Sequence, residues 1–222
     1  MTDTSNKYFL VRKLHALSGL ILLGGAFLIT LWSQANAVYG RAAYNQAMGG
    51  TGELGYGFLF EILVIGVPFL FYAGYGAVLW WRSQHILMGN VGRYSEFYNW
   101  LYLLQRISGG IGFLFILTYL YTTRVQVLMQ PELSQDMYGH MQSLLSHPLM
   151  FAWFMIGLLA VCFHFANGLR AMCINWGFTI NQRSQNMATL TTALLFVGLF
   201  LYGMRSLVGF DVMVKLFGIS PS

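Results

Sequence analysis

The sequence predicts an all-α integral membrane protein of five transmembrane helices, four forming a bundle of two tandem two-helix units and the fifth lying outside it. Three observations predict this. Of 222 residues, 57% are hydrophobic and only 9% charged, and mean hydropathy is +0.59, a balance foreign to soluble domains. Five apolar stretches, roughly 15–37, 58–81, 100–123, 149–172 and 187–209, reach the length of about 20 residues that a bilayer crossing takes. Two pairs of these stretches share short patterns at nearly one period. Little chain remains for a soluble domain, so residues 1–222 are expected to form one membrane domain.

The first helix follows a polar segment containing Lys7, Arg12 and Lys13. It is too long for a cleavable signal and lacks a small-residue cleavage site, so the N-terminus is expected to stay in the cytoplasm. The second helix carries Glu61 near its outer start and Pro68 as an internal kink. The third begins through Leu104-Gln-Arg-Ile-Ser-Gly109, and the fourth, after Pro148, contains Val161-Cys-Phe-His-Phe-Ala-Asn-Gly-Leu-Arg170. The fifth carries Arg205 near its outer end.

Five crossings place Lys7, Arg12, Lys13, Arg82, Arg93, Arg106, Arg170 and Arg183 on the cytoplasmic side, against Arg41, Arg124, Arg205 and Lys215 outside, as the positive-inside rule requires. The net charge of +5 sits singly at helix ends, which speaks for topology and against nucleic-acid binding. Cys162 and Cys173 form no paired-cysteine motif and read as reduced packing residues.

Lys13-Leu-His-Ala-Leu-Ser-Gly19 matches Leu104-Gln-Arg-Ile-Ser-Gly109, so that His15 corresponds to Gln105, 90 positions on. Tyr72-Ala-Gly-Tyr-Gly76 matches His164-Phe-Ala-Asn-Gly168 at 92 positions. Two units running in the same direction would be related by a pseudo-two-fold axis along the membrane normal. The glycines near these motifs either allow close helix contact or make room for a flat macrocycle.

His164 is an ionisable residue at a depth without water, which marks a functional position by default. On a four-helix core an axial bond to haem iron is one use for it, and a hydrogen bond to a facing side chain is another. Tyr72 lies about 9 residues from the cytoplasmic end of its helix and His164 about 8, so at 1.5 Å per residue both sit roughly 12–14 Å deep.

Arg12-Lys-Leu-His15, Asn99-Trp-Leu-Tyr-Leu-Leu-Gln-Arg-Ile-Ser-Gly109, Phe163-His-Phe-Ala-Asn-Gly-Leu169 and Asn175-Trp-Gly-Phe-Thr-Ile-Asn-Gln-Arg-Ser-Gln185 resemble the five-helix cytochrome b membrane anchor of succinate:quinone oxidoreductases, the complex II succinate dehydrogenases and fumarate reductases. The resemblance runs nearly end to end. It implies one subunit of a larger enzyme, with a flavoprotein carrying FAD and an iron–sulfur protein as partners. Neither cofactor has a binding motif in this chain.

The resemblance also implies two b-type haems held by four histidines, one on each of the first four helices. This chain has Thr30 or Leu31, Tyr72, Tyr119 and His164 at the matching places. One haem at most is expected. His164 then has three readings: a haem ligand with Tyr72 or nothing opposite it, a hydrogen-bond partner of Tyr72 in a haem-free bundle, or another use.

Without the outer haem pair, quinone chemistry is expected near the cytoplasmic side. His15, Ser18, Arg106 and Ser108 are the candidate quinone-binding residues: hydroxyl and guanidinium donors suit a quinone carbonyl, and histidine carries protons. The competing reading is that such residues are interfacial anchors and N-caps. Glu61 is either a proton carrier, a lining of an outer quinone site, or an interface residue, and Trp176 either closes the pocket or belongs to the aromatic belt. A reading of a different class is a proton-coupled transporter, with His164, Tyr72 and Glu61 binding substrate inside the repeat.

Overall fold

The computed structural model describes residues 2–52, 62–93 and 97–211. Among the described residues the regular structure is all helical. Five stretches are long and apolar enough to cross a membrane: Phe9–Tyr39, Leu63–Arg82, Phe97–Met129, Pro148–Asn175 and Gln182–Gly209, here numbered spans one to five. Glu61, the predicted start of the second helix at 58, and Lys215 lie outside the described residues.

Spans one, three, four and five run past the predicted apolar stretches because helix ends are set by caps rather than by hydropathy. Span four starts on Pro148 after the extended residue His147, where a missing N–H costs nothing. It stops at Gly177, whose φ of +78° a side chain would resist. There Phe178 N–H donates to Cys173 O at 2.9 Å and Gly177 N–H to Ile174 O at 3.1 Å, the Schellman arrangement. Span five opens on a capping box, with Asn181 accepting from Ser184 N–H at 2.8 Å and Ser184 Oγ accepting from Asn181 N–H at 3.3 Å.

Three π turns interrupt the described spans: Ser18–Leu23, Ile62–Gly66 and Tyr121–Val125. The second lies just before Pro68, which withholds the N–H its helix would need four residues back. In the third, Thr122 and Thr123 hydroxyls donate to Tyr119 O at 3.0 and 2.7 Å, and the freed Thr122 carbonyl accepts from His140 Nε2 at 3.0 Å. Side-chain intrusion of this kind opens a helix ladder.

Span two packs on spans one and three, span three on span four, and span four on span one. Span five lies against spans four and one, outside that bundle. The connections add helices that hydropathy did not predict, Arg41–Gly52 and Met137–Leu145, with a 3-10 turn Pro131–Asp136 between span three and the latter. They cover one end of the bundle, and the tightest core is there: Tyr44, Met141, Leu145 and Phe210 are at most 1% exposed. Elsewhere large apolar side chains face outward, such as Leu70 at 70% and Leu194 at 65%, as a bilayer solvent allows.

Candidate functional site

The repeat matched in the sequence is realised as two equivalent sets of contacts. The His15 ring stacks on Tyr72, centroids 4.3 Å apart and planes 6° from parallel; its counterpart Gln105 contacts His164, donating from Nε2 to the His164 carbonyl at 3.1 Å. Ser18 Oγ donates to His15 O at 3.0 Å, and Ser108 Oγ to Gln105 O at 3.2 Å. Gly19 lies directly against the Tyr72 ring, and Gly109 faces His164, where a Cβ would come within 2.9 Å of Cε1. Gly76 faces His15 and Gly168 faces Gln105.

Where the two sets meet, Tyr72 Oη and His164 Nε2 are 2.9 Å apart. His164 Nδ1 lies 3.1 Å from the Gln105 carbonyl, so that nitrogen carries the ring proton and donates it, and Nε2 accepts from the Tyr72 hydroxyl. Ser108 Oγ is a further 3.4 Å neighbour of Nδ1. The second set continues outward through two residues that the sequence reading had not singled out as site residues. Asn167 Nδ2 donates to Gln105 Oε1 at 2.8 Å and to Leu101 O at 3.1 Å, and Arg170 Nε donates to Asn167 Oδ1 at 2.8 Å. The guanidinium of Arg170, only 8% exposed, lies 5.7 Å from the Tyr98 ring centroid.

Three side-chain nitrogens at this end are buried and have no hydrogen-bond partner among the described residues: His15 Nδ1, Arg106 Nε and Trp176 Nε1. Arg106 is otherwise held by its neighbour one turn back, with Nη2 donating to Tyr102 Oη at 2.8 Å. Its charge reaches His15, Tyr72 and His164. Of the four candidate quinone residues, His15 and Arg106 thus each present an unpartnered nitrogen. The hydroxyls of Ser18 and Ser108 are engaged by their own helices. His15 also lies further in than a helix end, because its helix begins at Thr2 and its ring reaches Tyr72.

Trp176 sits under Lys13, whose Nζ is 4.5 Å from the Trp176 ring centroid and donates to Asn175 O at 2.8 Å. That contact ties span one to the end of span four. Trp176 Nε1 is buried without a partner among the described residues.

The other end of the bundle is closed. Tyr44 donates to Gln34 Oε1 at 2.8 Å, and Gln34 Nε2 donates to Tyr119 Oη at 2.7 Å. Burial, with Tyr119 beside it, pushes the Tyr44 phenol well above its usual range, against the opposing Gln34 bond. Over this pair, Asp136 is ion-paired with Arg41 and accepts from Gly139 N–H at 3.1 Å and Asn45 Nδ2 at 3.2 Å. Desolvation is the largest single influence and raises the Asp136 carboxyl, but Gly139, Asn45 and Arg41 together outweigh it and hold the group below its usual range. Tyr138 Oη donates to Gly209 O at 2.7 Å and Gln142 Nε2 to Phe210 O at 2.9 Å, fastening the cap to span five. Gly209 needs to be glycine, since a Cβ would enter the Ala37 and Val38 backbone.

The signals for Asn167 and Arg170 were present in the sequence, since they follow His164 at steps of three on one helix face. Gln34 and Tyr44 gave no such signal; they meet only through the turn at Asn36–Tyr39.

Residues 82–204 match the family described as succinate dehydrogenase/fumarate reductase transmembrane subunit. The chain is also 33% identical to the succinate dehydrogenase cytochrome b558 subunit of Bacillus subtilis (strain 168), over 207 residues that cover 93% of this chain and 99% of that protein. The transporter alternative gains no support from either similarity.

Proposed function

This chain belongs to the succinate dehydrogenase/fumarate reductase transmembrane subunit family and is an integral membrane protein, and on that premise we propose that it is the quinone-reactive anchor of its complex. It passes electrons between an iron–sulfur partner subunit and a lipid quinone. A flavoprotein partner handles the dicarboxylate. The bias of basic residues toward the His15 end supports a reading in which that end and the N-terminus face the cytoplasm, the chain lies in the cytoplasmic membrane, and the partners dock beside the quinone.

The observation that carries this reading is the pair of buried unpartnered nitrogens, His15 Nδ1 and Arg106 Nε, and in this reading both act as donors. Burying a donor without a partner in an apolar medium costs free energy, and a quinone carbonyl oxygen is an acceptor of the right chemistry for both. Reduction of a quinone to a quinol takes two electrons, supplied through the iron–sulfur partner, and two protons. The Arg106 guanidinium stabilises negative charge as it develops on the carbonyl oxygen. His15, with one nitrogen to donate and one to accept, is the proton carrier. Ser18 and Ser108 fix the local backbone and offer their oxygens as acceptors.

Replacing Arg106 with Leu in the intact complex tests this. Quinone reduction with succinate should fall by about a hundredfold, the size expected when a preorganised donor is lost, while succinate oxidation with an artificial acceptor persists. Unchanged quinone turnover would refute the site.

A further inference from the structure

We infer that this anchor folds and assembles without b-type haem, its helices joined by side-chain hydrogen bonds at both places where the resemblance implies a haem. Two metal–ligand bonds of roughly 2 Å each, one from either face of a macrocycle, would need their ligand atoms roughly 4 Å apart with the ring between them. Tyr72 Oη and His164 Nε2 stand at 2.9 Å, and the nitrogen lone pair that would bind iron already accepts the tyrosine proton.

Tyr72 cannot simply swing aside. Its ring is seated against Gly19 on one side and stacked on His15 at 4.3 Å. His164 is fixed in turn by Nδ1 donating to the Gln105 carbonyl at 3.1 Å. Both members of the pair are therefore held in the geometry that excludes iron.

The second place is filled differently. Tyr119 accepts from Gln34 at 2.7 Å, and Leu31, 6% exposed, packs where a Cβ on Gly203 would strike it. Neither residue offers a nitrogen. A haem joins the helices that ligate it; here Tyr72–His164 links spans two and four, and Gln34–Tyr119 links spans one and three. Assembly then has no need of haem supply.

The test uses the purified complex with its partner subunits. Its alkaline pyridine haemochrome spectrum should show no b-type haem, and haem that co-elutes with the anchor in fixed proportion overturns the inference. In a second arm the anchor is expressed in a host that makes haem only when fed 5-aminolevulinate. Membrane levels of the anchor should be the same with and without the precursor, and loss of the anchor in unfed cells overturns the inference. This inference is separable from the quinone reading: a haem-free complex inactive toward quinone sinks only that reading, and an active complex that holds haem sinks only this one.

Discussion

The two halves of the bundle share a backbone frame and differ in how they treat their buried donors. In each, a glycine on the odd-numbered span seats a ring from the even-numbered span, and a serine back-bonds to its own helix. Around the ring that its glycine seats, the second half is chemically complete: Gln105, Asn167 and Arg170 hand hydrogen bonds to one another from His164 outward, and Arg106 Nε alone of that entry is left open. At the positions of Asn167 and Arg170 the first half has Tyr75 and Val78. The Tyr75 ring lies 5.3 Å from that of His15, and His15 Nδ1 is left open. In a membrane interior every unpaired donor is costly, so the completed half is the one built for stability. On the proposed function, the quinone takes up His15 from the open half and Arg106 from the entry of span three.

The sharpest way to break this comparison is to give the first half the residue of the second. His15→Gln should lower quinone turnover by about a hundredfold, the lower end of what a positioned proton carrier contributes, with artificial-acceptor activity unchanged. Retained quinone turnover would mean that the open donor is not where the chemistry occurs. The converse change, Asn167→Leu, attacks the completed half. It strips partners from Gln105 Oε1 and the buried Arg170 Nε, and should cost about 3 kcal/mol of stability, the upper end for a buried unsatisfied group, because one of them is charged. Thermal inactivation of the detergent-solubilised complex measures it, and an unshifted midpoint would show that water or lipid replaces the amide.

Gly19→Ala probes the frame that both halves share. Its Cβ would run into the Tyr72 ring, which His15 holds from the other side, so overpacking should cost about 2 kcal/mol. Gly109→Ala should cost less, because His164 meets the new Cβ at 2.9 Å with the edge of a smaller ring. Comparing the two inactivation midpoints checks the order. Equal shifts would mean that the stack on His15 adds no stiffness.

Much of this was legible before any coordinates. The five spans followed from apolar length, and the repeat aligned Gly19 with Gly109 and Tyr72 with His164, the residues that meet. Asn167 and Arg170 were visible at steps of three from His164, yet Arg170 reads as a topology charge when only helix ends are counted. Spans four and five run past their apolar stretches, because the Asn181 capping box and the Gly177 turn act through backbone hydrogen bonds that apolar counting does not sense. The cap over the Tyr44 end was illegible for a different reason. Tyr119 lies 85 positions from Gln34, and Gln34 and Tyr44, 10 apart, meet only across the turn at Asn36–Tyr39, so no shared spacing announces their contact.

The smallest expected effect concerns the bond on which the two halves meet. Tyr72→Phe keeps the ring over Gly19 and its stack on His15, and removes only the hydroxyl that donates to His164 Nε2. Interhelical hydrogen bonds in bilayers average about 0.6 kcal/mol, because helices that separate in lipid find other partners, so the inactivation midpoint should fall slightly and quinone turnover should persist. A double-mutant cycle with His164→Leu isolates the pair from the packing around it. Coupling near 0.6 kcal/mol would mark the bond as a true crosslink between spans two and four. Coupling near zero would mean that ring shape alone holds the halves together, and that a ligand able to displace the tyrosine would meet little resistance from the histidine.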